Sequence, residues 1–218
     1  MATAAERVVQ VESGPARLEG MLGIPEGAHG VVLFAHGSGS GRFSPRNQFV
    51  ARVLREGGIG TLLMDLLEEW ESEDRGKVFD INLLAERLLS ATDWLQADPE
   101  AKDLAIGYFG ASTGAAAALQ AAAKLGDPIK AIVSRGGRPD LAMEYLPKVT
   151  APTLLIVGGE DWPVIPLNRE AYELLAGPKE LAIVPGAGHL FEEPGALEEV
   201  ARLAREWFAR YLAPSMES

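Results

Sequence analysis

The sequence LAIGYFGASTGAAAALQAAA, residues 104–123, joins an apolar strand pattern to an alanine-rich helix pattern through a turn of small residues. Residues 104–109 are apolar on both faces, which is typical of a strand that is covered on both sides in a parallel sheet. The alanine run 115–123 favours a helix. Between them, Gly110-Ala111-Ser112-Thr113-Gly114 matches Gly-x-Ser-x-Gly, whose glycines leave room for a tight turn that exposes the serine. This arrangement predicts that Ser112 is a nucleophile.

Five further apolar runs of strand length occur along the chain, and each ends in a turn. They cover residues 31–35, 60–64, 129–133, 153–157 and 181–184. Segments with helical spacing of apolar residues separate them, and strands that alternate with helices predict a doubly wound α/β sheet. Before these units, residues 8–11 and 17–24 flank Ser13-Gly14-Pro15, which indicates an antiparallel hairpin at the edge of the sheet. We find no linker or repeat, so residues 1–218 are predicted to form one domain.

The composition narrows the class of protein. The chain has 218 residues, 47% of them hydrophobic and 23% charged, as in ordinary globular domains. Its formal net charge of −11 argues against a nucleic-acid surface, and the lack of cysteine excludes disulfides, thiolate metal sites and a cysteine nucleophile. No secretory signal precedes the first strand, and no apolar run reaches the roughly 18 residues of a membrane span. We therefore expect a cytoplasmic protein that binds neither nucleic acid nor membrane.

One of the three histidines is suited to act as the base. A serine hydroxyl needs a base that takes its proton, and that base needs a third group that orients it. His189 follows Gly186-Ala187-Gly188 after the last strand, in a loop that can carry an imidazole over the sheet edge. His29 lies at the wrong end of its strand, and His36 is better placed to hold its loop by hydrogen bonds. We predict that His189 is the general base.

An acidic residue between the serine and the histidine is expected to orient the imidazole. Asp161 follows the strand 153–157, where its carboxylate can accept the second imidazole N–H. Asp140, after the preceding strand, is the main rival, and the adjacent Glu160 is expected to point away. We predict Asp161 as the acid.

The glycine-rich loop after the first long strand is the predicted oxyanion loop. His36-Gly37-Ser38-Gly39-Ser40-Gly41 can turn a backbone N–H inward, and we assign the two donors to the amides of Ser38 and Thr113. Phosphate binding is the competing interpretation. The loop lacks the Gly-Lys-Ser/Thr ending of a P-loop and does not fit Gly-x-Gly-x-x-Gly, so the oxyanion assignment is favoured.

These segments occur in the same order as in a known superfamily. The loop at His36, the serine turn, the acid loop 159–164 and the pair Gly188-His189 resemble the α/β-hydrolase superfamily. The small size is similar to the dienelactone hydrolase-like group. The resemblance implies a mostly parallel eight-stranded sheet with helices on both faces. It also implies an acyl-enzyme mechanism that uses Ser112, His189 and Asp161 and needs no cofactor or metal. Dienelactone hydrolase itself uses cysteine as nucleophile, so the serine at position 112 is a departure, and serine-bearing relatives are commonly carboxylesterases.

The substrate is expected to be a small soluble ester. Only residues 134–152 separate two neighbouring strands, which leaves room for one short helix and not for a large cap. Four aromatic residues on loops at this edge are candidate pocket walls, and ordinary packing of the loops is the alternative for each. They are Phe43, Trp70, Trp162 and Phe191. Arg135 and Arg138 are candidate partners for a substrate carboxylate, and the acidic stretch 68–74 is expected to be a solvated loop rather than a metal site.

The sequence leaves other functions open. A lactonase, a thioesterase or a perhydrolase would use the same three residues. A non-catalytic ligand-binding protein on this scaffold is an alternative from another class, although the complete set of nucleophile, base, acid and oxyanion loop argues against it. The sequence is compatible with either a monomer or a homodimer.

Overall fold

Eight strands form one sheet in the computed structural model, which describes residues 4–214. The strands follow one another as β1 (Glu6–Ser13), β2 (Ala16–Gly23), β3 (Gly30–Ala35), β4 (Gly60–Met64), β5 (Ala105–Ala111), β6 (Ile129–Arg135), β7 (Thr153–Gly158) and β8 (Lys179–Val184). Their order across the sheet is β1-β2-β4-β3-β5-β6-β7-β8. The predicted hairpin β1–β2 lies at one edge and is antiparallel, β2 pairs antiparallel with β4, and all other neighbours are parallel. The predicted mostly parallel eight-stranded sheet is confirmed.

Seven α-helices of the described residues cover the two faces of the sheet. They are α1 (Pro45–Glu56), α2 (Glu69–Ser72), α3 (Arg75–Val78), α4 (Ile81–Ala97), α5 (Thr113–Leu125), α6 (Ile165–Leu174) and α7 (Ala196–Leu212). Helices α1 and α7 pack on one face, and α4 and α5 pack on the other. Strand β3 shows why: Val32 and Phe34 join the core under α1 and α7, whereas Val31 and Leu33 join the core under α4 and α5. Residues that alternate along a strand face opposite sides, so an entirely apolar strand needs cover on both.

The connection between β6 and β7 is short. A 3₁₀ helix, Pro139–Lys148, fills it where the sequence predicts one short helix, and no large cap covers the edge of the sheet in residues 4–214. None of the helices in this part of the chain is long and apolar enough to cross a membrane. The carboxyl ends of the central parallel strands are therefore followed by loops and short helices rather than by a large cap.

The acidic stretch 68–74 does not form the expected solvated loop. It begins α2 at Glu69, and the side chain of Glu71 is only 2% exposed. Its carboxylate accepts two hydrogen bonds of 2.9 Å from the guanidinium of Arg87 on α4. The prediction was wrong for Glu71, because a buried bidentate ion pair anchors it to α4, whereas five of the seven residues are exposed as expected. No group of three metal-binding side chains occurs in residues 4–214.

Candidate active site

The serine turn lies where β5 ends and α5 begins. Ser112 has φ 52° and ψ −120°, a strained conformation for a residue with a side chain. A Cβ on Gly114 would overlap the carbonyl oxygens of Ala35 and His36, and a Cβ on Gly110 would overlap the backbone of Ala115. The two glycines therefore allow the sharp turn. Such strain persists where the surrounding structure enforces it, as at the nucleophile of an elbow.

The alanine run places α5 directly behind the serine. Residues 115–118 are all alanine and all buried, so the helix lies close to the sheet. Ser112 is the N-cap residue of this helix, and the amide of Thr113 is the first of its free N–H groups. The partial positive charge of the helix N-terminus is therefore directed at the serine.

The predicted base and the predicted acid are in contact. His189 Nδ1 lies 2.7 Å from Asp161 Oδ2, the distance of a charge-assisted hydrogen bond. Asp161 is only 7% exposed, whereas 40% of the His189 side-chain surface is open to solvent. The rival Asp140 instead accepts hydrogen bonds of 2.9 Å and 2.8 Å from Arg138, and Glu160 is exposed. The loops after β7 and β8 thus bring Asp161, rather than Asp140 or Glu160, to the imidazole.

Residues 135–138, which we call the support loop, connect the serine to the histidine. The Ser112 amide donates to the Arg135 carbonyl at 3.2 Å, and the Arg138 amide donates to the Ser112 carbonyl at 3.1 Å. Gly136, with φ 52°, approaches the imidazole so closely that a Cβ there would lie 3.4 Å from His189 Nδ1. Within residues 4–214, no hydrogen bond joins Ser112 Oγ to His189. Such bonds are often long before substrate binds.

The predicted oxyanion loop lies against the serine. A Cβ on Gly37 would lie 3.2 Å from Ser112 Cβ, so the backbone of the loop passes beside the nucleophile. His36 holds this loop as predicted: its Nδ1 donates to the Gly37 carbonyl at 2.9 Å, and its Nε2 accepts from the Leu66 amide at 2.9 Å. Burial lowers the pKa of His36, which keeps the ring neutral and able to accept at Nε2. Ser38 follows Gly37 in this loop and Thr113 is the first residue of α5, and the role of their amides as oxyanion donors stays a prediction.

The candidate pocket residues lie in different environments. Phe43 is 64% exposed and lines a cavity of about 650 Å³, whereas Trp70, though exposed on α2, does not line it. Trp162 is exposed next to Asp161. Phe191 is buried in the core under α1 and α7. No contact within the described residues assigns a substrate role to any of the four, so these roles stay predictions.

The cavity lies on the far side of the oxyanion loop from the support loop. Its walls come from the loop itself, from the exposed face of the edge hairpin and from residues around α2 and α3, but not from Ser112. The side chain of Arg42 forms its most ordered polar wall, because the guanidinium bonds both Asp65 and Glu19 and stacks 4.3 Å from the Phe43 ring. The cavity therefore adjoins Ser112 through Gly37 of the predicted oxyanion loop.

Arg135 is buried rather than exposed to an approaching carboxylate. Its Nη2 donates to Asn47 Oδ1 on α1 at 3.2 Å, and its buried Nε has no partner among residues 4–214. Burial, together with the nearby charge of Arg46, lowers the pKa of Arg135 to about 10. This placement does not test the predicted role of Arg135 in binding a substrate carboxylate, and that role stays a prediction.

Two features of the site were missed by the sequence reasoning. The support loop contains adjacent glycines, Gly136 and Gly137, directly after a strand, and that pair was a signal for close backbone approach. The other is Asn168, a fully buried side chain on α6 that bonds the support loop. A single asparagine in an amphipathic helix gives no sequence signal for such a contact.

Comparison with known proteins agrees with the fold. The sequence pattern of the dienelactone hydrolase family matches residues 18–213. A crystal structure of dienelactone hydrolase from Anabaena variabilis is 57% identical, with a TM-score of 0.94 over 97% of this chain and 100% of that one. A dienelactone hydrolase-like promiscuous phosphotriesterase from metagenomic libraries shares the fold at 19% identity, with a TM-score of 0.81 over 97% of this chain and 100% of that one.

A relative from Mycobacterium tuberculosis is longer. It is provisionally named a phosphoribosyl transferase and is 55% identical over 204 residues, which are 94% of this chain and 46% of that protein. The chain thus spans about half the length of the curated relatives it matches first. The family match covers most of the chain, and its fold is that of the Anabaena enzyme throughout. The chain therefore belongs to the dienelactone hydrolase family of hydrolases.

Proposed function

We propose that this protein is a serine hydrolase that cleaves small soluble esters through an acyl-enzyme at Ser112. The observation that carries the proposal is the 2.7 Å contact between His189 and Asp161, together with a serine held at positive φ that the support loop connects to the imidazole. A buried carboxylate that orients an imidazole next to a strained serine is the arrangement that activates a hydroxyl nucleophile.

The first half of the reaction forms the acyl-enzyme. His189 Nε2 takes the proton of Ser112 Oγ as the oxygen attacks the ester carbonyl. Asp161, bonded at Nδ1, holds the tautomer with a free Nε2 and stabilises the imidazolium that forms. The carbonyl oxygen becomes an oxyanion that the amides of Ser38 and Thr113 hold, assisted by the N-terminus of α5. The imidazolium then gives its proton to the departing alcohol.

The second half releases the acid. Water enters over the exposed side of His189, which removes a proton from it as the water attacks the acyl carbon. The second tetrahedral intermediate collapses with return of the proton to Ser112 Oγ, and the carboxylic acid leaves. The open edge of the sheet, without a cap in the described residues, gives both water and small esters access.

Substrate recognition is assigned to the loops around the oxyanion loop. The neighbouring cavity of about 650 Å³ has the size of ordinary small-molecule sites. Phe43 offers it an exposed ring, and Trp162 stands at the acid side of the catalytic residues. Glu68 faces this cavity as a carboxylate, because hydrogen bonds from the Arg17 amide and the Trp70 indole lower its pKa. A polar wall of this kind favours water-soluble substrates over long acyl chains.

Lactones, thioesters and peracids are alternative substrates for the same residues, because all present a carbonyl to the same nucleophile. A ligand-binding protein without catalysis is the alternative of another class. Phosphoribosyl transfer enters only through the name of the mycobacterial relative, less than half of which corresponds to this chain. No observation in the described residues favours that reaction.

The proposal is tested with a fluorophosphonate probe and with p-nitrophenyl acetate. Wild-type protein should be labelled and should release p-nitrophenol, and Ser112→Ala should do neither. Ser90→Ala is the matched control, because Ser90 Oγ bonds Ser13 at the edge of the sheet, far from the catalytic loops. If wild type is not labelled and hydrolyses the ester no faster than Ser112→Ala does, the serine-hydrolase proposal fails and the ligand-binding alternative remains.

The substrate class is then resolved with acetate, butyrate and octanoate esters, a γ-lactone and an acyl thioester. The proposal predicts the highest kcat/KM for the short oxygen esters. A preference of more than tenfold for the lactone or the thioester would assign the protein to that alternative reaction instead.

A further inference from the structure

We infer that Asn168 is a positioning residue of the catalytic site, which fixes the acid loop against the support loop that contacts the serine and the histidine. The inference rests on the proposed function, because it assigns Asn168 a part in orienting Asp161. Asn168 lies on α6, the helix that follows the acid loop, and its side chain is fully buried.

The amide of Asn168 donates in two directions. Its Nδ2 donates to the Val164 carbonyl at 2.9 Å, one turn earlier, and to the Gly137 carbonyl of the support loop at 3.1 Å. The Val164 amide in turn donates to the carbonyl of Asp161 at 3.1 Å. The Asn168 side chain thus links the turn that contains Asp161 to the support loop, which contacts Ser112 and His189.

The support loop transmits this link to the other two catalytic residues. It exchanges two backbone hydrogen bonds with Ser112, through Arg135 and Arg138, and it places Gly136 against the imidazole of His189. A shift of the support loop relative to the acid loop would therefore change the distance between His189 and Asp161, and between His189 and the serine.

The link has no substitute among the side chains of the described part of the chain. Strands β6 and β7 pair as far as Arg135 and Ile156, and a last backbone bond between the two segments runs from the Gly136 amide to the Ile156 carbonyl at 2.8 Å. In residues 4–214, the bond from Asn168 is the only side-chain hydrogen bond between the segment 158–174 and the segment 136–148. Without it, the support loop would be tied to the strand that leads into the acid loop only by the backbone bond from the Gly136 amide to the Ile156 carbonyl and by packing.

The chemistry of the side chain points to positioning rather than to stability. Asn168 Oδ1 is buried and has no partner in residues 4–214, and such an orphaned acceptor destabilises a folded protein. A leucine at this position would remove the orphan and fill the same space, but it would leave the Gly137 carbonyl without the donor that Asn168 supplies. The two hydrogen bonds that it donates therefore explain why an amide occupies position 168. Residues that are less stabilising than the best alternative are expected near functional sites.

The test compares Asn168→Ala and Asn168→Asp with wild type in p-nitrophenyl acetate hydrolysis and fluorophosphonate labelling. Asn168→Asp keeps the shape of the side chain but replaces the donor by oxygen. Both variants should lower kcat and the labelling rate by about 10- to 100-fold, because a displacement of about 1 Å at the reacting groups has effects of that size. KM should stay within about threefold of wild type.

Two comparisons separate positioning from a structural role. In an Asp161→Asn background, Asn168→Ala should lower kcat by a smaller factor than in wild type, because the part of its effect that runs through Asp161 is already lost; a structural role predicts the full factor in both backgrounds. Thr92→Val is the matched control, since Thr92 is a fully buried side chain whose hydroxyl bonds Tyr108 at 2.6 Å beneath α4. It should lower the Tm but not the kcat of the folded protein.

The outcomes are distinguishable. If wild type hydrolyses the ester and both Asn168 variants keep more than half of its kcat, the inference is wrong and the proposed function stands. If a variant does not fold, Asn168→Ser is used instead, and the downfield ¹H NMR signal of its His189 Nδ1 proton is measured. Loss or broadening of that signal supports the inference, and an unchanged signal overturns it. A wild type without activity would overturn both proposals.

Discussion

Replacement of Asp161 by asparagine tests the contact on which the proposed function rests. The substituted side chain would fill the same space, but its neutral amide cannot stabilise the imidazolium and can turn its NH₂ group towards His189 Nδ1. The ring would then accept at Nδ1 and carry its proton on Nε2, which leaves no base for Ser112. The folded structure should tolerate the change, because the loop is held by backbone bonds at Gly158 and Val164.

The size of the effect follows from the distance. Opposite charges 2.7 Å apart, as at Nδ1 and Oδ2, interact by about 6 kcal/mol at an effective dielectric constant of about 20. Because 40% of the His189 side chain faces water, we reduce this to about 4 kcal/mol, which corresponds to a loss of about 10³-fold in kcat. KM should change little, because neither group contributes to substrate binding.

The assay is steady-state hydrolysis of p-nitrophenyl acetate by wild type, Asp161→Asn and Asp140→Asn, with urea unfolding as a check on folding. Asp140→Asn is the matched control, because Asp140 is an aspartate on a neighbouring loop that is paired with Arg138 instead of the imidazole. It should retain kcat within about threefold. The reasoning is refuted if Asp161→Asn keeps more than a tenth of wild-type kcat, or if Asp140→Asn loses more activity than Asp161→Asn.

Three further outcomes are expected. Gly114→Ala should destabilise the fold by about 2–3 kcal/mol in urea unfolding and abolish ester hydrolysis, because its Cβ would overlap the Ala35 and His36 carbonyls. An active variant of normal stability would contradict this explanation of the turn. Burial lowers the pKa of His36 below its ordinary 6.5, so at mildly acidic pH the unfolded chain takes up a proton that the folded protein does not. The free energy of unfolding should therefore fall as the pH drops below about 6.5. In urea titrations, His36→Gln should show a smaller fall between pH 7 and about pH 5.5 than wild type does. Glu71→Gln should lower the free energy of unfolding by about 3–5 kcal/mol, because it leaves the buried Arg87 guanidinium without its counter-charge, whereas Glu199→Gln in an exposed pair should leave the urea midpoint nearly unchanged.

The fold could be predicted because its signals are local. Each central strand is an apolar run that ends in a turn, and the hairpin β1–β2 has its turn residues between two strand patterns. Ser112 was identifiable for the same reason, since the strand, the glycines and the helix that shape its turn are contiguous in the chain. The position of His189 followed from the order of the strands.

The remaining features depend on contacts between distant residues. Glu71 is found in an acidic run typical of a solvated loop, and it is buried only because Arg87, 16 residues away, meets it on α4. Asn168 bonds Gly137 across 31 residues, and neither residue type indicates the other. Side-chain pairs of this kind arise from the way in which elements pack, and local patterns carry no record of them.

The most direct test of the proposed mechanism is to trap the acyl-enzyme. Protein mixed with excess p-nitrophenyl acetate should be quenched with acid within the first turnover, digested, and analysed by mass spectrometry. We expect one acetyl group per chain on the peptide that contains Ser112, at higher occupancy in Asp161→Asn if deacylation is slowed more than acylation, and no acetyl group in Ser112→Ala. Steady hydrolysis by wild type with the acetyl group on another residue, or undiminished hydrolysis by Ser112→Ala, would contradict the mechanism.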